Sequence, residues 1–512
     1  MARILAIDSG LTVTKAVVFD TAGRQLGVVR RNVRQIMPGP RRVERDMMDL
    51  WHQTADAIRE VLADSGTHPS DILAVAATAH GDGIYLLDQQ GAPLGNAILS
   101  LDSRAADVIG DWHTAGIDRE SLALTGQMPH VSAPSALLAW IQREEPERFG
   151  KIAHVMACKD WLRYCLTDSI GTDRTEASTS FTDMRTQNYT PDALALFGLQ
   201  SIAPALPDVA HSAEIIGTVS EAASAQTGLA QGTPVAAGLH DVTASVLGIG
   251  GHTPGVMGIV AGTYSINEAV SDTPTPDARW FCRNGVRPGV WNNMAISPAS
   301  TTNYDWFLDT FCATDRANAE RRGQTIHALL APEIDDALAR ASSAIYHPFL
   351  FGSPYGAAAS AGFFGLRGWH NRGDILAALL EGIVFNHRHH IDALRATFPT
   401  DTARLTGGAA RNPVVAQLFA DILGMQVATS ATDEAAAWGA ALCAGAAVGA
   451  FAQFDADPRD LDAISTTYHP RPDRVAEYET RYAAYQNLAD ILPDTWDRLN
   501  TLEAKGRRTS ND

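Results

Sequence analysis

The chain has 512 residues, 46% of them hydrophobic, and a formal net charge of −18. That length is too great for one core, so two domains are expected. The acidic balance, with no Lys/Arg-rich tract, argues against nucleic acid and anionic membrane as partners, and no apolar run reaches the roughly 18 residues of a membrane span.

The first element is two apolar runs, Arg3–Asp8 and Lys15–Asp20, joined by Ser9-Gly10-Leu11-Thr12-Val13-Thr14. This is a hairpin signal. Its tip gathers the Asp8 carboxylate, the Gly10 amide, the hydroxyls of Thr12 and Thr14 and the Lys15 ammonium, groups suited to a polyphosphate and its metal. A third strand completes a meander over residues 3–30. Apolar residues at helical spacing from Met47 to Leu62 predict a helix over about 46–63, with Asp46 at its N-cap. The strand Ile72–Thr78 runs into Ala79-His80-Gly81-Asp82-Gly83, and a later strand leads to Asp102-Ser103-Arg104. The region 105–230 reads as mixed and mostly helical. Val235–Gly238 is a short strand ending at Leu239-His240-Asp241, and a helix starts at Val242 with Asp241 near its N-cap.

Val256–Asn267 then repeats the opening pattern: apolar run, Gly262-Thr263 tip, outgoing strand. A single duplication of this kind implies two similar domains, 1–247 and 248–500, facing each other across a cleft. A helix over Ile375–Leu394 carries His387, His389 and His390, whose spacing to carboxylates and cysteines is wrong for a metal site; it reads as a solvated or interface face. Ala403–Thr406 enters Gly407-Gly408-Ala409, and Asn412-Pro413 is an N-cap/N1 pair opening a helix to 423. Ala435–Gly449 is a small-residue helix expected to pack against it. Residues 501–512 read as a disordered tail. The five cysteines are scattered and form no CxxC pair, and the N-terminus enters a strand at once. Both point to a cytoplasmic protein with reduced thiols.

The order of these motifs resembles the FGGY carbohydrate kinases, within the actin, sugar-kinase and heat-shock chaperone superfamily of ATPases. The resemblance rests on Ile7-Asp8-Ser9-Gly10, Ala79-His80-Gly81, Leu101-Asp102-Ser103-Arg104, Gly238-Leu239-His240-Asp241, Ala261-Gly262-Thr263 and Thr406-Gly407-Gly408-Ala409. It implies an α/β fold of two ribonuclease H-like domains around a central cleft, ATP with Mg2+, and a small sugar or polyol held mostly by the N-terminal domain. Asp241 matches the family's general base, and Asp8 the metal-side aspartate; both are candidates to hold the metal. Gly262 and Thr263 match the second phosphate motif, and Gly407, Gly408 and Ala409 the adenosine motif, with Asn412 nearby. His80 and Gly81, with Asp82, match a substrate-contacting segment, and Asp102 and Arg104 one that reaches the sugar. Leu11 stands where many members carry Thr, so Thr12 or Thr14 must supply the hydroxyl, and Ser135 stands where the signature often has Lys. Several stretches, among them Ala79–Asp88 and Gly95–Arg104, look most like the L-xylulose kinase branch. The expected activity is ATP-dependent phosphorylation of a ketopentose such as L-xylulose. The alternatives are an erythritol or other polyol kinase and, outside that class, a chaperone-like ATPase. The family often dimerises, so a homodimer is compatible with this reading.

Overall fold

Arg3–Ser9, Val13–Asp20 and Gln25–Asn32 form the expected antiparallel meander, in which Asp8 lies opposite Lys15. Ile72–Ala79 adds parallel to the first strand, Pro234–His240 adds parallel to it in turn, and Ile215–Thr218 closes the edge of a six-stranded sheet. The middle of the first strand, Ile4 to Ile7, is continuously apolar because both faces of the sheet are covered. Leu5 and Ile7 join a core with Trp51, Ile58 and Val61 of the helix Met47–Asp64. Ile4 and Ala6 join another with Ala437, Ala440 and Ala441 of the helix Ala435–Ala447. Asp46 caps the former helix by accepting from the amides of Met48 and Asp49. This computed structural model describes residues 2–509.

The chain divides into two α/β units. The first comprises Met1–Pro254 with two later segments, Ala269–Met294 and Ala431–Ile464. The helix Ala435–Ala447 therefore packs on the first sheet and on the helix Asp241–Gly248, not on the helix Pro413–Leu423 as its small residues had suggested. The reason is close backbone approach. A Cβ at Gly439 would overlap the Ala244 carbonyl oxygen, and one at Gly248 the Ala435 carbonyl oxygen, so small residues here serve this crossing.

In the second unit Met257–Ala261 and Thr402–Thr406 run parallel, Gln426–Ser430 extends the sheet in parallel, and Ser465–Tyr468 closes it antiparallel. The helix Arg372–Arg395 is buried on nearly every side. His387 and His390 are 0% and 6% exposed, so what was expected to be a solvated or interface face is, at these two residues, buried within the second unit. His387 Nδ1 bonds Asn267 Oδ1 at 2.8 Å, and burial pushes both imidazoles down to about 3. The helix Pro493–Thr509 occupies most of the segment expected to be a disordered tail; Pro493 at its first position favours that start. Residues 510–512 lie outside the described residues. All five cysteines are free, and among the described residues no helix is long and apolar enough to cross a membrane.

Candidate active site

The register of the first sheet brings the N-terminal motifs together. Asp8 lies opposite Thr78, and Leu239 opposite the same Thr78 on the other side. Asp8, His80 and His240-Asp241 thus leave the carboxyl ends of three adjacent parallel strands, where open α/β sheets take their ligands. His240, not Asp241, is the N-cap of the helix that follows; its Nδ1 accepts from the Val242 amide at 3.3 Å. Asp241 is the first helical residue, and its Oδ1 accepts from the same amide at 2.7 Å.

Asp241 is 31% exposed at its side chain. Burial first, and the like charge of Asp8 next, push its carboxyl up to about 7, while the Val242 amide opposes them. A carboxyl so placed can take a proton near neutral pH. Asp8 is fixed from the opposite side: Lys15 Nζ donates to its Oδ2 at 2.8 Å and lies 3.0 Å from Glu434 Oε2. Glu434 also pairs with Arg30. Lys15 therefore meets two carboxylates, which outweigh its burial and hold its ammonium above the ordinary lysine range.

Two tip residues depart from expectation. Thr14 is fully buried and its hydroxyl bonds Thr54, because strand alternation turns it toward the helix Met47–Asp64. The Gly10 amide donates to Val13 O at 2.9 Å and is spent on the turn itself. Thr12 is exposed. Among the described residues no acceptor takes the amides of Leu11 and Thr12, which leaves them as the tip's donors.

His80 is buried, with Nε2 3.2 Å from the Tyr85 hydroxyl, and burial then Arg45 push it down to about 3. Gly81 is glycine for a local reason: a Cβ there would overlap the His240 imidazole. Asp82 sits at φ 56°, with Oδ1 3.0 Å from Arg283 Nη2 and Oδ2 3.2 Å from His130 Nε2. Against its burial, Arg283 and then His130 hold the Asp82 carboxyl well below the usual range. Arg283 is itself bonded to Gln127 and lies over the Phe281 ring.

Asp102 and Arg104, by contrast, close on each other. Asp102 is 0% exposed and accepts from Val43 N and from Arg104 N, Nε and Nη2. Arg104 also binds Glu44 and lies over Trp140. The oxygens of Asp102 are thus taken by the chain's own donors in this structure, while Arg104 Nη1 is buried without a partner.

In the second unit the parallel register of Val260 opposite Thr406 sets the Gly262-Thr263 and Gly407-Gly408 turns side by side. Gly407 has φ 96°, and a Cβ there would lie 2.5 Å from Ala261 O, so it must be glycine for packing. Gly408 and Gly262 are different: nothing lies within 4 Å of where a Cβ would project. Ala409 continues the short turn, and Asn412 caps the next helix by accepting from Val414 N at 2.9 Å. Thr301 donates to Gly262 O at 2.7 Å and steadies that tip.

The donor chemistry suits magnesium and a nucleotide. Among the described residues no three His, Cys, Asp or Glu side chains gather as a metal cage, but magnesium needs only one or two carboxylates when phosphate and water complete its shell. Asp8 and Asp241 are carboxylates of that kind within the first unit; in the second unit, taken by itself, Gly262 and Gly408 leave open backbone beside their turns. Sequence reading missed Glu434, Arg283, His130 and Thr301. Their partners are distant in sequence, and only the Ser300-Thr301-Thr302 run ahead of a helix was a local signal.

Comparison with known proteins agrees over nearly the whole chain. Residues 3–248 match the N-terminal domain, and residues 257–448 the C-terminal domain, of the FGGY family of carbohydrate kinases. The chain is 34% identical over 497 residues to the L-xylulose/3-keto-L-gulonate kinase of Escherichia coli K12, covering 95% of this chain and 97% of that protein. It is 29% identical over 520 residues to the erythritol kinase of Brucella abortus, covering 97% of each. Among solved structures, the xylulose kinase from Rhodospirillum rubrum superposes with a TM-score of 0.83 at 26% identity, over 97% of this chain and all of that one.

Proposed function

The chain belongs to the FGGY family of carbohydrate kinases, and from that premise we propose that it phosphorylates a ketopentose, L-xylulose before others, with Asp241 as the general base. ATP is the family's phosphate donor. A chaperone-like ATPase reading has no support in a chain that matches sugar kinases over 95% of its length.

The observation that carries the proposal is the placement of Asp241 beside Asp8 at the carboxyl ends of the first sheet. Asp241 stands at a strand's carboxyl end, partly open, with a proton affinity raised to about 7. A sugar hydroxyl is a weak nucleophile at neutral pH, and a carboxylate of this basicity can accept its proton as attack on the γ-phosphorus begins. Magnesium, when bound, neutralises charge on the β- and γ-phosphates; Asp8 would hold it, since a cation on Asp241 would remove the basicity that proton transfer needs. The amides of Leu11 and Thr12 and the Gly262-Thr263 turn would bind phosphate oxygens, and the Gly408 backbone would take the adenosine. The peptide dipoles of the helix Asp241–Gly248 favour negative charge at its start. Asp82, oriented by Arg283 and His130, would accept from sugar hydroxyls, and His80 would shape the same wall.

L-xylulose is put first because the relative of 34% identity is named for it and for 3-keto-L-gulonate. Erythritol is the second reading, on the relative of 29% identity. A coupled ADP-release screen over L-xylulose, D-xylulose, L-ribulose, 3-keto-L-gulonate, erythritol and glycerol decides between them. The highest kcat/KM is expected with L-xylulose; a higher value with erythritol would replace the first reading by the second.

A further inference from the structure

The strand that delivers Asp241 is irregular just before it arrives. Its pairing with Ile72–Ala79 shifts register between Ala236 and Leu239. Gly238 takes φ 73° there, and a Cβ would overlap the Ala77 carbonyl oxygen. Such a bulge re-aims the chain and interrupts the ladder at Ala237 and Gly238 before pairing resumes at Leu239, so bonds from outside the ladder matter for the direction in which Asp241 points.

Both polar atoms of the Leu239–His240 peptide are held by buried threonine hydroxyls. Thr78 Oγ1 donates to Leu239 O at 2.7 Å. The His240 amide donates to Thr175 Oγ1 at 3.0 Å. Thr175 Oγ1 in turn donates to Asp173 Oδ2 at 2.8 Å, a direction fixed because an ionised carboxylate only accepts. Asp173 is fully buried; its Oδ2 also accepts from Ser212 Oγ at 2.7 Å, and its Oδ1 lies 3.1 Å from Lys159 Nζ. Lys159 pairs with Asp160 at 2.6 Å and reaches Ala237 O at 3.4 Å. Although burial works the other way, Lys159 and then the hydroxyl bonds keep Asp173 below the usual carboxylate range. Buried charge of this kind is costly and weak evidence for stability. Here it grips the bulged strand at Ala237 and, through Thr175, at His240.

We propose that Thr175, backed by the buried Lys159–Asp173 pair and opposed by Thr78, is a positioning residue that aims Asp241 by clamping the peptide before it. The inference rests on Asp241 being the general base. Proton abstraction is sensitive to placement, a 1 Å error costing about 10²-fold. Nothing in the sequence marks Thr175 as part of the site, since it lies far from Asp241 along the chain and touches only its neighbour's backbone.

The test compares Thr175→Val, Thr175→Ser and Thr78→Val, alone and in an Asp241→Asn background, by steady-state kinetics, sugar affinity from calorimetry and thermal melting. Thr175→Val should lower kcat roughly 10- to 100-fold with sugar affinity within about threefold of wild type, and Thr175→Ser should restore turnover. Thr78→Val, which frees the other side of the same peptide, should act in the same direction. In the Asp241→Asn background Thr175→Val should add no further loss, because the group it aims is gone. A Thr175→Val enzyme with wild-type kcat would overturn the clamp, as would equal losses in both backgrounds. If Thr175→Val fails to fold, Thr78→Val decides by the same criteria. Should Asp241→Asn itself turn over normally, it is the general-base reading that falls, and the two failures are told apart.

Discussion

Replacing Asp241 by Asn separates what its carboxyl does for catalysis from what it costs the fold. Burial and the neighbouring Asp8 raise its proton affinity to about 7, against an ordinary aspartate value of about 4. Between about pH 4 and pH 7 the metal-free folded protein therefore holds a proton that the unfolded chain has released, and stability falls as pH rises through that window. Asparagine does not titrate. The variant's advantage should be absent at about pH 4, grow toward pH 7 and stay constant above it. A carboxyl fully shielded from water would give up to about 4 kcal/mol; with 31% of the side chain exposed, about 1–2 kcal/mol is the better figure. Turnover should fall about 10²–10⁴-fold, the scale of a lost general base. Urea unfolding of both proteins in metal-free buffer from pH 4 to pH 8, beside initial rates at saturating sugar and magnesium-ATP, reads both effects. A variant that loses turnover but is less stable than wild type at pH 8 would refute the electrostatic argument. One that gains stability yet keeps turnover would refute the catalytic one.

Three further outcomes follow from the same geometry. Arg283→Met removes the guanidinium that lies over Phe281 and with it the ion pair to Asp82; the sugar KM should rise roughly tenfold, the scale of a lost charge-assisted bond, while the ATP KM holds, and equal rises in both would contradict the assignment. Glu434→Gln takes one carboxylate from Lys15 and loosens its hold on Asp8; magnesium-ATP should bind about three- to tenfold more weakly with sugar affinity unchanged, as measured by calorimetry with a non-hydrolysable analogue. Gly408→Leu projects into open space, so its melting temperature should match wild type while nucleotide affinity drops roughly tenfold or more; undiminished nucleotide binding would remove Gly408 from the adenosine site.

The elements legible in the sequence were those set by local chemistry. The meander, the helix capped by Asp46, and the Asn412-Pro413 start with its left-handed Gly424 end all stand where short-range rules put them. The helix Ala435–Ala447 was visible as a helix, but its partner was not. Alanine and glycine permit close approach to any backbone, and only the folded chain shows that Gly439 meets Ala244 and Gly248 meets Ala435. The same limit hid the return of residues 269–294 and 431–464 to the first unit. Those segments carry Arg283 and Glu434, the long-range partners of Asp82 and Lys15.

For the site itself, residue type and motif position did not separate a working carboxylate from a structural one. Asp82, Asp102 and Asp241 each follow or end a strand and each was a candidate. What distinguishes them is how many donors the fold supplies. Asp102 receives a backbone amide from Val43 and three N–H groups of Arg104, and its charge is spent. Asp82 keeps the Arg283 guanidinium and the His130 ring as partners and some exposure, which leaves it ionised and oriented. Asp241 has only backbone amides as donors and two like-charged neighbours, which leaves it basic. A carboxylate's chemistry is thus set by the donors it lacks as much as by those it has, and the count of donors is a property of the folded neighbourhood.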